Sequence, residues 1–179
     1  MPIAPGLMGT PSGYFIAPLS GLSIGIDIAA IGAATPTSVA HGTNNLARVY
    51  PFYVPEPIIV LSAYSFNGAT AAGNVDIGIY SEALALLVST GAVAQAGTNA
   101  LQEYALTDTT IPRGRYYAAI SCSLSTATFF SNAYNLHFGK LQGLAQMATA
   151  HVLPSTLVPA AVSSAIQPVF GFSIRTLVA

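Results

Sequence analysis

The sequence predicts an all-β protein: an antiparallel, jelly-roll-like β-sandwich preceded by an extended apolar N-terminal arm. Three observations predict it. From Leu46 onward, short runs of β-branched and aromatic residues alternate with turn residues. In the clearest of these runs, apolar residues recur at every second position, the period of a pleated strand. No segment reads as a crossover helix joining parallel strands, so about eight strands are expected to form two sheets packed face to face.

Residues 1–44 are assigned to the arm. Pro2, Pro5, Pro11, Pro18 and Pro36 alternate with Gly6, Gly9, Gly13, Gly21, Gly25 and Gly32. Prolines remove backbone donors and glycines weaken regular elements. The segment is nonetheless apolar, with Tyr14, Phe15, Ile16, Leu19, Leu22, Ile24, Ile26 and Ile28, and one strand is expected over 23–30. A stretch of this kind gains order by lying on a neighbouring molecule. Its opening residues lack a basic region, which argues against a signal peptide.

Residues 45–179 are assigned to the sandwich. Strands are expected over 47–54, ended by Pro55-Glu56-Pro57, and over 58–66, ended by Asn67-Gly68. Residues 75–80 alternate, with Val75, Ile77 and Ile79 on one face and Asp76, Gly78 and Tyr80 on the other. A hairpin then leads to a strand over 86–93. Residues 101–106 form another strand and 109–114 a turn. Residues 115–124 carry the strongest signal, with Tyr116, Ala118, Ile120, Cys122 and Leu124 opposite Tyr117, Ala119, Ser121 and Ser123. A further strand is expected near 126–130. Leu141, Leu144, Ala145 and Ala148 have helical spacing, so one or two helical turns are expected within 140–150. A Pro-bounded loop over 153–159 precedes a last strand over 167–177.

Charge is scarce. The chain has five Lys or Arg and six Asp or Glu, 6% of 179 residues, against roughly 25% in ordinary soluble domains. Hydrophobic residues make up 53%. So little charge points to a surface covered by other chains in an assembly. With net charge −1 and Arg113 and Arg115 the one close basic pair, nucleic-acid binding is not expected. The apolar window 14–34 contains Pro18 and Asp27 and no flanking Lys or Arg, so no membrane span is expected. Nine Tyr and eight Phe argue against disorder. Cys122, the single cysteine, reads as a small buried hydrophobe.

Catalytic chemistry finds little support, and no enzyme activity, cofactor or metal is expected. His41, His137 and His151 lack metal-ligand spacing and read as loop or surface hydrogen-bonding groups. Glu82 and Glu103 carry no specific sign of an acid/base pair. Gly21-Leu22-Ser23-Ile24-Gly25 matches G-x-S-x-G, but without the strand-turn-helix context a nucleophile elbow needs. The interface candidates are Tyr14, Phe15, Ile16, Leu19, Tyr80, Leu84, Arg113, Arg115 and Tyr117. Tyrosine and arginine suit partner contact, and Tyr80 and Tyr117 fall opposite the apolar faces of their strands. Asp108 or Glu103 is an expected partner for one of the scarce arginines.

Four motifs then carry a resemblance: Pro51-Phe52-Tyr53-Val54-Pro55; Asn74-Val75-Asp76-Ile77-Gly78-Ile79-Tyr80; Pro112-Arg113-Gly114-Arg115-Tyr116-Tyr117-Ala118-Ala119; and Leu153-Pro154-Ser155-Thr156. Over 45–177 the chain resembles the small β-sandwich proteins of tailed-bacteriophage virions, found as capsid-decoration, head-fibre or tail-fibre components. It departs from their pattern in the Arg between Pro112 and Gly114, and in the apolar Ser81-Glu82-Ala83-Leu84 hairpin, whose tip is expected to touch another chain. The resemblance implies a jelly-roll fold, a virion location and a homotrimer. Its expected partners are other virion proteins, the major capsid protein or an adjacent tail or fibre protein. The alternative reading is a receptor- or glycan-binding module using Tyr, Asn and Thr on loops 67–74 or 94–99, with a host-surface glycan as ligand.

Overall fold

A computed structural model describes residues 14–16, 36–133, 136–141, 143–164 and 166–176. In chain order the strands are β1 (Tyr14–Ile16), β2 (Thr37–Ala40), β3 (Leu46–Val54), β4 (Ile58–Phe66), β5 (Asn74–Ser81), β6 (Leu86–Ser89) and β7 (Val93–Ala94). There follow β8 (Leu101–Ile111), β9 (Gly114–Cys122), β10 (Thr128–Ala133), the short helix α1 (Leu136–Leu141), β11 (Ala145–Met147), β12 (Ala160–Ala161), β13 (Ile166–Pro168) and β14 (Phe170–Thr176). The fold is an all-β sandwich, and every strand pair is antiparallel.

One sheet has the order β1-β14-β4-β8 and a larger one β12-β11-β3-β9-β5-β6, with β7 also paired to β5. A smaller sheet, β13-β10-β2, completes the structure. The main core lies between the first two. Tyr50 and Phe52 of β3, Ile77 and Ile79 of β5, and Ala118 and Ile120 of β9 meet Val60 of β4, Tyr104 of β8, and Phe170 and Phe172 of β14. Tyr50 and Phe170 touch across the gap with ring centroids 5.4 Å apart. Each such buried aromatic contributes about 1.5–3 kcal/mol.

The larger sheet is buried on its other face too. Ala47, Val49, Tyr80 and Ala119 form a second cluster with Ala150, Leu153 and Leu157 of the loop that follows β11. This loop is stitched down by backbone bonds from Ala150 N to Asn45 O, Leu86 N to Ser155 O and Leu157 N to Leu84 O. Beyond Arg115, β9 therefore reads Tyr-Tyr-Ala-Ala-Ile-Ser-Cys with no charge on either face, as strands covered on both sides do.

Several expected elements fall elsewhere. The helical turns lie at Leu136–Leu141 rather than within 140–150. Gly143 adopts φ 77° and its N–H bonds Lys140 O, closing the helix in a left-handed turn, and Ala145–Met147 becomes a strand on β3. The turn expected over 109–114 is shorter, because Ile111 is fully buried and pairs with Ile58. The strand expected over 86–93 divides into β6 and β7 around Gly91 at φ 65°. The last strand divides at Val169, β13 joining β10 while β14 joins β4. Residues 37–40, grouped above with the arm, form β2 and pair with β10. The strand expected over 23–30 lies outside the described residues.

Candidate interaction surface

The β3–β9 ladder carries most of the exposed candidates to one end of the larger sheet. Register places Tyr53 opposite Arg115 and Pro51 opposite Tyr117. Arg113 sits in the two-residue turn that enters β9, and its Nε donates to the Tyr53 hydroxyl at 2.7 Å. That bond favours the guanidinium's protonated form further. Tyr53 is 43% exposed and Arg113, Arg115 and Glu56 are exposed, whereas Tyr117 is half-buried against the cluster that contains Tyr80 and Ala119. A planar cation held on a tyrosine beside a second arginine matches the residue types that anchor protein interfaces.

Other candidates are placed differently. Tyr80, expected to face a partner, is fully buried, and its hydroxyl donates to Pro154 O at 2.8 Å. Burial, and secondarily the nearby Asp76 carboxylate, push its phenol well above the usual range. The expected face is correct, but the chain's own loop covers it. The same holds for the hairpin tip: Leu84, at φ 65°, is half-buried on the Leu153–Leu157 cluster. Tyr14, Phe15 and Ile16 pair through their backbones with Ile174, Ser173 and Phe172 of the same chain. Leu19 lies outside the described residues. Asp108 does reach an arginine, Arg175, at 4.0 Å on the exposed face of the smaller core sheet.

Beneath the loop lies a polar cluster that sequence reading missed. Asp76, fully buried, accepts the Leu153 N–H at 2.9 Å and the Thr90 hydroxyl at 3.2 Å. Ser121 Oγ lies 3.1 Å from His151 Nδ1. Serine, histidine and aspartate thus gather without forming a nucleophilic triad. Ser121 is fully buried, so no acyl group reaches it, and the aspartate's bonds go to the loop backbone and Thr90. Burial lowers the His151 pKa, against the pull of Asp76.

His41 and Arg48 are also buried. His41 Nε2 lies 2.8 Å from Leu46 O, and burial lowers its pKa to about 4, with Arg48 adding to the effect. Arg48 spans three segments, donating to His41 O, Ser164 Oγ and Ile166 O. Its partners are neutral oxygens; the described residues offer it no carboxylate. Glu82 lies in the turn between β5 and β6 of the larger sheet, whereas Glu103 lies in β8 of the other. The described residues contain no group of three or more His, Cys, Asp or Glu able to hold a metal. Nor do they contain a helix long and apolar enough to cross a membrane.

At another edge, loops 67–74 and 94–99 come together. Asn67 Nδ2 donates to Ala96 O at 2.7 Å and Gln102 Oε1 at 2.9 Å, while Gln95 Nε2 donates to Asn67 Oδ1 at 3.0 Å. These amides fix the loops rather than project from them, leaving Thr70, Asn74, Thr98 and Asn99 exposed. No protein-family model and no curated protein matches the sequence.

Proposed function

We propose that the chain is a non-enzymatic structural protein of a bacteriophage particle, a capsid-decoration (cement) or head-fibre component that stabilises the particle through oligomeric contacts. In this reading it is a homotrimer seated on the major capsid protein or an adjacent tail or fibre protein. The observation that carries the reading is the Tyr53–Arg113–Arg115 patch. On a chain with five Lys or Arg, two of them stand together, exposed, on a tyrosine. The polar groups that resemble catalytic machinery are engaged in holding the loop down, and the motif resemblance points to the same class of protein. An interface of about 1,600 Å², a little over half of it apolar, gives on the order of 20 kcal/mol before association costs of roughly 4–15 kcal/mol. Repeated over many copies, that surplus reinforces a shell.

The test is copy number in purified particles by quantitative mass spectrometry, with the parent chain and an Arg113→Glu/Arg115→Glu variant. Hundreds of copies, lost in the variant while its melting temperature holds, are expected. Absence of the parent chain from particles refutes the role. The juxtaposed loops favour a second reading, a glycan-binding module using Thr70, Asn74, Thr98 and Asn99. A glycan array scores it, and binding that survives Thr98→Ala/Asn99→Ala removes these loops as the site.

A further inference from the structure

We propose that β1 is an exchangeable strand, and that the edge of β14 accepts β1 of a second copy of this chain. The inference deepens the assembly role proposed above by naming the partner and the mode of contact.

The pairing itself is short. β1 meets β14 at three positions, Tyr14↔Ile174, Phe15↔Ser173 and Ile16↔Phe172, while β14 runs on over Phe170–Thr176. Among the described residues β1 is the outermost strand of its sheet, bonded on one side. Its sequence, Tyr-Phe-Ile, is strongly β-forming and lies between Gly13 and Pro18, which punctuate the chain on either side. Residues 17–35 separate it from the next described segment. At about 3.3 Å per residue they reach on the order of 60 Å. A domain of this size has a radius of gyration of roughly 14 Å. The tether is thus long enough for β1 to reach either its own β14 or that of an adjacent copy.

Exchange preserves every contact between β1 and β14 and changes only which chain supplies the strand. Concentration then decides the outcome. Covalent linkage through a segment of this length gives a chain's own strand an effective concentration of about the millimolar range. Dilute chains therefore keep their own β1, and copies crowded at millimolar local concentration on a particle exchange it. An open edge that is satisfied by a neighbour's strand is also an edge protected from indiscriminate pairing.

The test uses the full chain. Phe15→Cys and Ser173→Cys are made separately, each with Cys122→Ala to remove the native thiol. Opposed positions of an antiparallel pair lie about 4.5–5.5 Å apart at Cα, within disulfide range. The two variants are mixed, oxidised and run on a non-reducing gel. A cross-chain disulfide is expected, rising at least about tenfold in yield between 10 µM and 1 mM total chain, with the range set by the effective concentration. The unsubstituted chain, followed by sedimentation, is expected to associate over the same range, which guards against a variant that does not fold. No cross-chain disulfide from folded variants, or an unsubstituted chain that stays monomeric at 1 mM, overturns the proposal. Association without the disulfide overturns it as well, since another surface is then responsible. Loss of exchange in solution with normal incorporation into particles refutes exchange alone and leaves the structural role standing.

Discussion

Asp76→Ala is the sharpest test of how the larger sheet is covered. Asp76 is fully buried, and its oxygens accept the Leu153 N–H and the Thr90 hydroxyl. Truncation strands the Leu153 N–H and removes one of the two acceptors of the Thr90 hydroxyl. A hydrogen bond to a charged acceptor contributes about 1.5–3 kcal/mol, and a buried donor left unmade costs about 1–3 kcal/mol. Thr90 keeps a second acceptor in Gly91 O at 3.0 Å, so most of the loss falls at Leu153. The expected destabilisation is therefore about 2–4 kcal/mol. It should appear first as local opening, because Leu153 and Leu157 are the apolar residues that seat the loop on Tyr80 and Ala119. Urea denaturation measures the global change, and amide hydrogen exchange measures opening of Leu153 and Leu157 against β9 amides as an internal standard. A loss below about 0.5 kcal/mol, the scale of a neutral surface substitution, with Leu153 protection unchanged, would mean that the aspartate does not hold the loop.

Three further outcomes follow from the same packing. Gly78→Ala places a Cβ 2.7 Å from Val88 O and 2.9 Å from Leu153 Cδ1, closer than real contacts allow. It should destabilise by about 1–3 kcal/mol in thermal melts and raise exchange in the 150–158 loop. Lowering the pH from 7.5 to 5 should cost about 2 kcal/mol through His41. Its folded pKa of about 4 lies below the ordinary 6.5, so the unfolded chain takes the proton first and stability falls as pH drops through that window. His151, shifted the same way, adds to the fall, and urea midpoints in the parent and in His41→Gln separate the two. Arg48→Lys should cost about 1–3 kcal/mol by equilibrium unfolding, because a single ammonium cannot reach His41 O, Ser164 and Ile166 O together.

The sheet architecture was legible where one physical signal dominated. The strand expected over 58–66 is β4, and the alternation of 75–80 and 115–124 marks β5 and β9, because an inward apolar set at period two has one good solution. The signal weakened where pairing, not periodicity, decides the element. β2 and β12 have no strong pattern of their own and exist by lying beside β10 and β11. The helical spacing of Leu141, Leu144, Ala145 and Ala148 was a poor guide because Gly143 stops the helix before that stripe can form. Of the interface candidates, Arg113, Arg115 and Tyr117 were legible as a group because they share one turn and strand. Tyr80 was not, since alternation reports which face a residue occupies and is silent on whether a distant loop covers that face. The clue lay in Tyr116–Cys122, where neither face carries charge.

That clue changes what the shortage of charge means. A sandwich with one wet face per sheet needs polar residues on half of each strand. Here the outward positions of the larger sheet hold Val49, Ala119, Tyr80 and Asp76, all buried by Ala150, Leu153 and Leu157 of the same chain. Much of the low charge is thus accounted for by a sheet buried twice within one chain, with no partner required. What self-burial does not account for is narrower: Leu101 at 62% exposure, Val158 at 67% and Val152 at 51% stand out in water. Beside them belong Tyr53 with its arginine, and a β14 edge closed by three residues of β1. The case for assembly rests on those few positions, and it is at those positions that substitutions should separate association from folding. Changes at Arg113 or Arg115 should leave the melting temperature alone, whereas changes at Asp76 or Gly78 should move it.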